Sequence, residues 1–289
     1  MTKVLITGAT GNIGMEVIRA LQLIDHQLDL FAGVRDMSLD KGKLSNFQIS
    51  LIAFDFTDFK THDTALNGCD ILFLLRPPQI SDVEKYFKPL IESCKNKAVR
   101  HIVFLSVQGV EKSKIIPHHK IEKLIVDGKI AYTFLRPAYF MQNFTTTLRN
   151  DLLKNRRIYL PAANAKFTLV DVRDIGAVSA KILANISQHQ NKSYELTSEE
   201  KLSFGEMALK LSNILGVEIQ FKSPNLVSFF LTKRKEKIPT ALILVMIMLH
   251  YFPRFQKEPA VTSCVQEIIN RPAITFAQFI KDNKKLLTG

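Results

Sequence analysis

The sequence predicts a doubly wound α/β fold, and three observations carry that prediction. Short apolar runs alternate with segments of helical spacing from residue 3 to residue 136. The runs at 70–75 and 101–105 are apolar almost throughout, as expected of parallel strands covered on both faces. No run in this part of the chain reads as half of a hairpin, so strand–helix–strand crossovers are the expected connection. Beyond residue 137 the regularity loosens. The expected division is therefore 1–137 for the wound sheet and 138–289 for a smaller α+β lobe, with some later elements returning to the first domain.

The first nineteen residues organise the rest. Residues 3–7 form a buried-strand run, residues 15–21 have helical spacing, and Gly8-Ala9-Thr10-Gly11-Asn12-Ile13-Gly14 joins them. Gly8 suits the tight turn, Gly11 a close approach of backbone to a pyrophosphate, and Gly14 close packing of the helix. An anion would rest on the free N–H groups of the helix start. Placed between a strand and a helix, this loop reads as a dinucleotide site, with Gly8, Thr10, Gly11, Asn12, Ile13 and Gly14 as its residues. A purely structural turn is the alternative.

The second strand, 28–34, ends at Arg35, where a dinucleotide fold meets the adenosine ribose. An acid there would accept from the 2′-hydroxyl of NAD(H), whereas a guanidinium pairs with the 2′-phosphate of NADP(H). Arg35 favours NADP(H). The third strand, 48–54, ends at Asp55; a helix over 58–66 stops before Gly68; the fourth strand, 70–75, ends at Leu75 and is broken by Arg76-Pro77-Pro78. After a helix over 82–96, the fifth strand delivers Ser106, and a helix over 117–126 precedes a sixth strand, 131–135, ending at Arg136-Pro137. Asp55, Leu75, Arg76, Ser106 and Pro137 thus fall at the carboxyl edge, where open α/β sheets bind ligands. Further on, 138–154 and 171–185 read as helices and 193–196 as a strand. A helix over 204–215 has Ser203 as N-cap and Gly216 as stop, 217–221 reads as a strand, and the last seventy residues as helices and loops. This lobe is expected to close over the carboxyl edge of the sheet.

The net charge of +12 is uneven: 1–150 carries 19 basic against 15 acidic side chains, and 151–289 carries 20 against 12. No zinc-finger spacing, RNP-like sequence or basic heptad accompanies it, so a solvated basic face outweighs a nucleic-acid surface. Cys69, Cys94 and Cys264 are too scattered for a disulfide framework and form no CxxC pair, and no metal spacing occurs. With no charged leader before the first strand, a cytoplasmic protein is expected. The stretch 240–252 is apolar all round but short of the ~20 residues that span a bilayer. It reads as a buried or pocket-covering helix, with interfacial membrane contact as the lesser option.

Five segments together resemble one family: the Gly8–Gly14 loop, Arg35, Pro117-His118-His119-Lys120-Ile121-Glu122, the run from Tyr132 through Arg136-Pro137-Ala138-Tyr139-Phe140 to Phe144, and Val170-Asp171-Val172-Arg173-Asp174-Ile175. They resemble the NmrA-like branch of the atypical short-chain dehydrogenases/reductases, over about the first 200 residues. The resemblance implies a Rossmann-type NAD(P)-binding domain with a small substrate lobe. It also implies either a reductase acting on a small planar acceptor such as a quinone, or a non-catalytic NADP(H) sensor that docks on a protein partner. The segment from Pro137 to Asn143 would line the nicotinamide and substrate pocket.

Typical short-chain dehydrogenases carry a tyrosine four residues before a lysine. Here those places fall on Lys114 and His118, so the pair is absent. His118 at this place is similar to quinone-reductase members, whose acceptors take hydride with little help from an acid. His118 and Tyr139 are therefore the catalytic candidates. His118 would hydrogen-bond the nicotinamide ribose, or donate a proton, a task its ordinary pKa suits, or else be a plain histidine at the start of its helix. Glu122, one turn on, either orients His118 or faces solvent. A monomer or homodimer is compatible with all of this.

Overall fold

A computed structural model describes residues 1–289. The chain opens with β1 (Thr2–Ile6), α1 (Asn12–Leu21), β2 (Leu28–Val34), α2 (Met37–Leu44), β3 (Ser50–Ala53), α3 (Phe59–Ala65) and β4 (Ile71–Leu75). Next come α4 (Val83–Asn96), β5 (His101–Leu105), α5 (Pro117–Asp127), β6 (Ala131–Pro137) and the short β7 (Tyr139–Phe140). They are followed by α6 (Arg149–Asn155), β8 (Arg157–Tyr159), β9 (Lys166–Val170), α7 (Val172–Ala184), β10 (Lys192–Leu196) and β11 (Lys201–Ser203). The chain ends with α8 (Phe204–Leu215), β12 (Gln220–Lys222), α9 (Leu226–Lys235), α10 (Thr240–Tyr251), α11 (Cys264–Ile269), α12 (Phe276–Asp282) and α13 (Lys284–Thr288).

Two compact units result. The first takes Met1–Pro137, Val172–Leu196 and Cys264–Arg271; the second takes Ala138–Asp171, Thr197–Ser263 and Pro272–Gly289. The first unit is built on a seven-stranded sheet of order β10-β6-β5-β4-β1-β2-β3. Every pairing in it is parallel. This is the predicted doubly wound α/β architecture. β4 and β5 are buried at all positions because helices cover both faces. Side chains of Asp36, Asp58 and Asp82 accept from first-turn N–H groups and start α2, α3 and α4.

On one face α1 packs against α7, so closely that a Cβ on Gly176 would lie 2.6 Å from the Glu16 carbonyl oxygen. On the other, Phe87, Leu90 and Ile91 of α4 join Ile121 and Ile125 of α5 in a core with Leu72, Leu74, Ile102 and Phe104.

The second unit holds a three-stranded sheet, β11-β9-β7, and a β12–β8 pair. Its core gathers Phe144, Leu169, Phe204, Phe229, Ile243, Met246, Phe276 and Phe279. Ser203 caps helix α8 and Gly216 stops it, as read from the sequence, and the structure adds Glu206, which completes a reciprocal capping box with Ser203.

Two readings are corrected. Residues 138–154 are not one helix: β7 pairs with β9, a 3₁₀ turn covers Met141–Phe144, and only α6 is α-helical. The strand pairing is non-local, and the threonines at 145–147 are poor helix formers. The strand read at 217–221 is only Gln220–Lys222, paired in parallel with β8. Helix α2 went unread because its eight residues carry little apolar periodicity.

Candidate functional site

Where the strand order reverses, between β1 and β4, Thr7 ties the two strand ends together. Its hydroxyl donates to the Phe73 carbonyl at 3.1 Å and accepts from the Leu75 N–H at 2.9 Å. Gly8 follows at φ +60°, a left-handed turn that a side chain strains. The Gly11 N–H then donates to the Gly8 carbonyl at 3.0 Å and closes the loop. Gly11 is the N-cap of α1 and supplies no capping side chain, so the first turn's N–H groups are left to an incoming acceptor. Gly8, Gly11 and Asn12 are exposed and Thr10 and Ile13 half-buried.

The glycines divide the work in a way the motif alone does not show. A Cβ on Gly14 would lie 2.3 Å from the Gly8 oxygen and 2.8 Å from the Ala9 Cα, so Gly14 packs on the turn itself. A Cβ on Gly11 would meet only the Gly8 oxygen, at 3.3 Å; its other side is open.

Because the sheet is parallel, the ends of its strands share this edge. At the end of β2, Arg35 is exposed. Asp36 beside it is committed to α2: its carboxylate accepts from the Ser38 and Leu39 N–H groups at 2.9 and 3.0 Å. The Ser38 hydroxyl and these amides hold it below the ordinary carboxylate range. Beyond β3, Asp55 accepts from the Thr57 N–H at 2.7 Å and hydroxyl at 2.8 Å, shaping its own turn.

At the end of β5, Ser106 is 2 % exposed, and its hydroxyl has no hydrogen-bond partner. An orphaned buried hydroxyl calls for a partner supplied from outside the protein. Pro137, at the end of β6, accepts from the Gln108 N–H at 3.0 Å.

Arg76 and His118 meet. The Arg76 Nη1 donates to the carbonyls of Pro77, Pro78 and Ile80 at 3.1, 3.3 and 2.8 Å, holding the loop after β4. Its Nε donates to His118 Nε2 over a long 3.4 Å. The imidazole stacks on Phe104, with ring centroids 6.1 Å apart. Burial, with the Arg76 charge behind it, pushes the His118 pKa down to about 3. The ring is neutral near pH 7, its Nε2 lone pair faces Arg76, and Nδ1 carries the proton. The ordinary pKa on which the proton-donor reading rested does not survive folding. Glu122 neither orients His118 nor faces solvent. It is buried and grips Arg136 with two bonds, Nε to Oε1 at 3.1 Å and Nη2 to Oε2 at 2.7 Å.

In the second unit, Tyr139 lies in an aromatic cluster with Phe167 and Phe204, centroids 5.8 and 5.6 Å away. His250 Nδ1 sits 2.6 Å from the Met246 carbonyl and must donate to it, so its Nε2 accepts from the Tyr139 hydroxyl at 3.2 Å. Burial raises the Tyr139 pKa far above its ordinary value and lowers that of His250 to about 4. The Tyr139 proton is committed to His250, and core packing accounts for the ring. His250 gave no signal in the sequence, because its partner lies 111 positions away.

Taken together, the open loop at Gly11, the uncapped start of α1 and the unpartnered Ser106 hydroxyl fit a dinucleotide on the carboxyl edge. No group of three or more His, Cys, Asp or Glu side chains is placed to hold a metal ion.

The family model of the NmrA-like family matches residues 1–259. The Prestalk A differentiation protein A of Dictyostelium discoideum is 29 % identical, covering 99 % of this chain and 94 % of its own. An NAD(P)H azoreductase of Xenophilus azovorans is 28 % identical, with 96 % of each chain covered. Among solved structures, an NADPH-dependent quinone oxidoreductase of Escherichia coli in complex with NADPH superposes with a TM-score of 0.84. It is 21 % identical over 96 % of this chain and 99 % of that one.

Proposed function

The chain belongs to the NmrA-like family, and from that footing we propose that it is an NADPH-dependent reductase of a quinone-like or other small planar acceptor. The observation that carries the reading is the Gly8–Gly14 loop, which opens onto the uncapped start of α1 where the strand order reverses. The loop and helix start hold the pyrophosphate, Arg35 the 2′-phosphate, and Ser106 offers its hydroxyl at the end of β5. Asp36, spent on capping α2, does not compete for a ribose 2′-hydroxyl, which favours NADPH over NADH.

Bound there, NADPH supplies a hydride. His118, neutral and backed by Arg76, donates a hydrogen bond from Nδ1 to the nicotinamide ribose and delivers no proton of its own. Tyr139 is given no proton-donor role. A planar acceptor whose reduced oxygen is delocalised needs orientation more than acid catalysis, which suits a site without the tyrosine–lysine pair. Relatives named for reduction of azo compounds and quinones support this reading over a sensor without turnover.

The test is loss of NADPH absorbance with purified protein against quinones, azo dyes and carbonyl compounds. Turnover with at least one planar acceptor is expected. Tight NADPH binding with no oxidation across the whole panel would leave the sensor. His118→Ala should lower turnover by about tenfold or less, below the ~10²–10⁴-fold typical of a lost general acid.

A further inference from the structure

Helix α10 was read from the sequence as buried or covering a pocket, and it is only half buried. Ile243, Met246 and His250 enter the core of the second unit, on one arc of the helix. The opposite arc carries Leu242, Leu244, Val245, Met248 and Leu249, all exposed, and continues into Phe252 and Phe255. Leu244 is 55 % exposed, Phe252 53 % and Phe255 69 %. A contiguous outward face of large aliphatic and aromatic side chains marks an interaction surface.

The charges around it have one sign. Arg234, Lys235 and Lys237 are exposed just before α10, and Arg254 and Lys257 just after it. Lys235, Lys237, Arg254 and Lys257 form no ion pair, and neighbouring acids are already engaged: Glu236 with Lys233 and Arg157, Glu258 with Lys201. Arg254 lies over the rings of Tyr251 and Phe255, at 4.8 and 5.6 Å, keeping guanidinium and aromatics together at one end of the face. That pairing suits a boundary that is apolar below and charged above. At ~1.5 Å per residue, the twelve residues of α10 extend about 18 Å, too short to cross a ~30 Å hydrocarbon core but long enough to lie in its interface.

We propose that the outer face of α10, with its basic flanks, docks on the surface of an anionic phospholipid bilayer. A second copy of the chain is the poorer occupant. A two-fold pairing through this face would set basic ends against basic ends, the neighbouring Glu236 and Glu258 being already paired within the chain. The bilayer answers both features, its acyl boundary taking Leu242, Val245, Leu249 and Phe252 and its headgroups taking the lysines and arginines.

The experiment is co-sedimentation of the full chain, without acceptor, with vesicles of phosphatidylcholine alone or containing about one-third phosphatidylserine, at about 0.15 M salt. At least tenfold stronger partitioning onto the phosphatidylserine vesicles is expected. Leu249→Asp, and separately Lys235→Glu with Lys257→Glu, should each weaken it about tenfold while circular dichroism and NADPH affinity stay unchanged. The chain contains no tryptophan, so Phe252→Trp places a single tryptophan on the face, which can be excited apart from the tyrosines. Its emission should shift to the blue and be quenched by brominated lipid. Absence of binding to anionic vesicles would overturn the proposal, as would binding indifferent to Leu249→Asp, which would reduce it to net charge. A dimer seen by sedimentation velocity, dissolved by Leu249→Asp and blind to vesicles, would assign the face to a second copy instead.

Discussion

Gly11 and Gly14 stand three residues apart in one loop, and substitution should break them differently. A Cβ added at Gly11 meets only the Gly8 oxygen, so the Gly11→Val protein should fold with its circular dichroism intact while calorimetry detects no NADPH binding. Gly14→Ala drives a methyl to 2.3 Å from that same oxygen, which overpacks the turn. A cost of about 1–3 kcal/mol and a fall in Tm of several degrees are expected. At Arg35, loss of a charge-assisted pair with the 2′-phosphate should weaken NADPH about tenfold to a hundredfold and leave NADH nearly unchanged. Equal affinity for both cofactors in the unmodified protein would remove Arg35 from cofactor choice. The neutral His118 adds a pH test. With a pKa near 3, it should put no inflection into turnover between about pH 5 and 8.

Helices α1 and α7 are held together by what Gly176 lacks. Gly176→Val would force its side chain against the Glu16 backbone and separate the helices, and with them the start of α1 from the turn it completes. Reduced thermal stability together with weakened NADPH binding is the expected pair of outcomes; unchanged cofactor affinity would uncouple α7 from the site. The glycine was visible inside a helical segment, where it costs about 1 kcal/mol relative to alanine, but only its partner explains why it is there. Glu122 shows the same limit. Its spacing from His118 is that of one helical turn, yet β6 brings Arg136 into reach, and the two-bonded pair wins. In the sequence Thr7 reads as the end of a strand, and its role as a clasp between β1 and β4 depends on residues sixty-six and sixty-eight positions away.

Across the whole chain, burial keeps several histidines neutral, and this sets the response to acid. His118 is lowered to about 3, His101 and His250 to about 4, each first by loss of water; Arg76 adds to the effect at His118 and His189 at His101. An unfolded histidine titrates near 6.5, so between that pH and about 4 the unfolded chain binds more protons than the folded one. Stability is therefore complete above about pH 6.5 and declines on acidification, by on the order of 1.4 kcal/mol per pH unit for each such histidine. Tm should fall measurably from pH 7 to pH 5. His101→Asn should flatten that slope; a Tm rising or level over the range would contradict the burial of these rings.

Alternating apolar runs and helical segments were enough to establish the wound sheet, because strand and helix periods are local properties of the chain. The same holds for the glycine loop and for the start and stop of α8 at Ser203 and Gly216, whose partners lie within a few residues. Tertiary structure decided the rest, for one reason: the deciding partner is distant. β7 exists because β9 pairs with it, and the Tyr139 hydroxyl is engaged because α10 brings His250 to it. The His118 pKa fell because the fold buries the ring, stacked on Phe104, and sets the Arg76 charge beside it. The apolar stretch at 240–252 is uniform in composition, so only packing against the second unit's core could select which arc of α10 is buried and which is left outside.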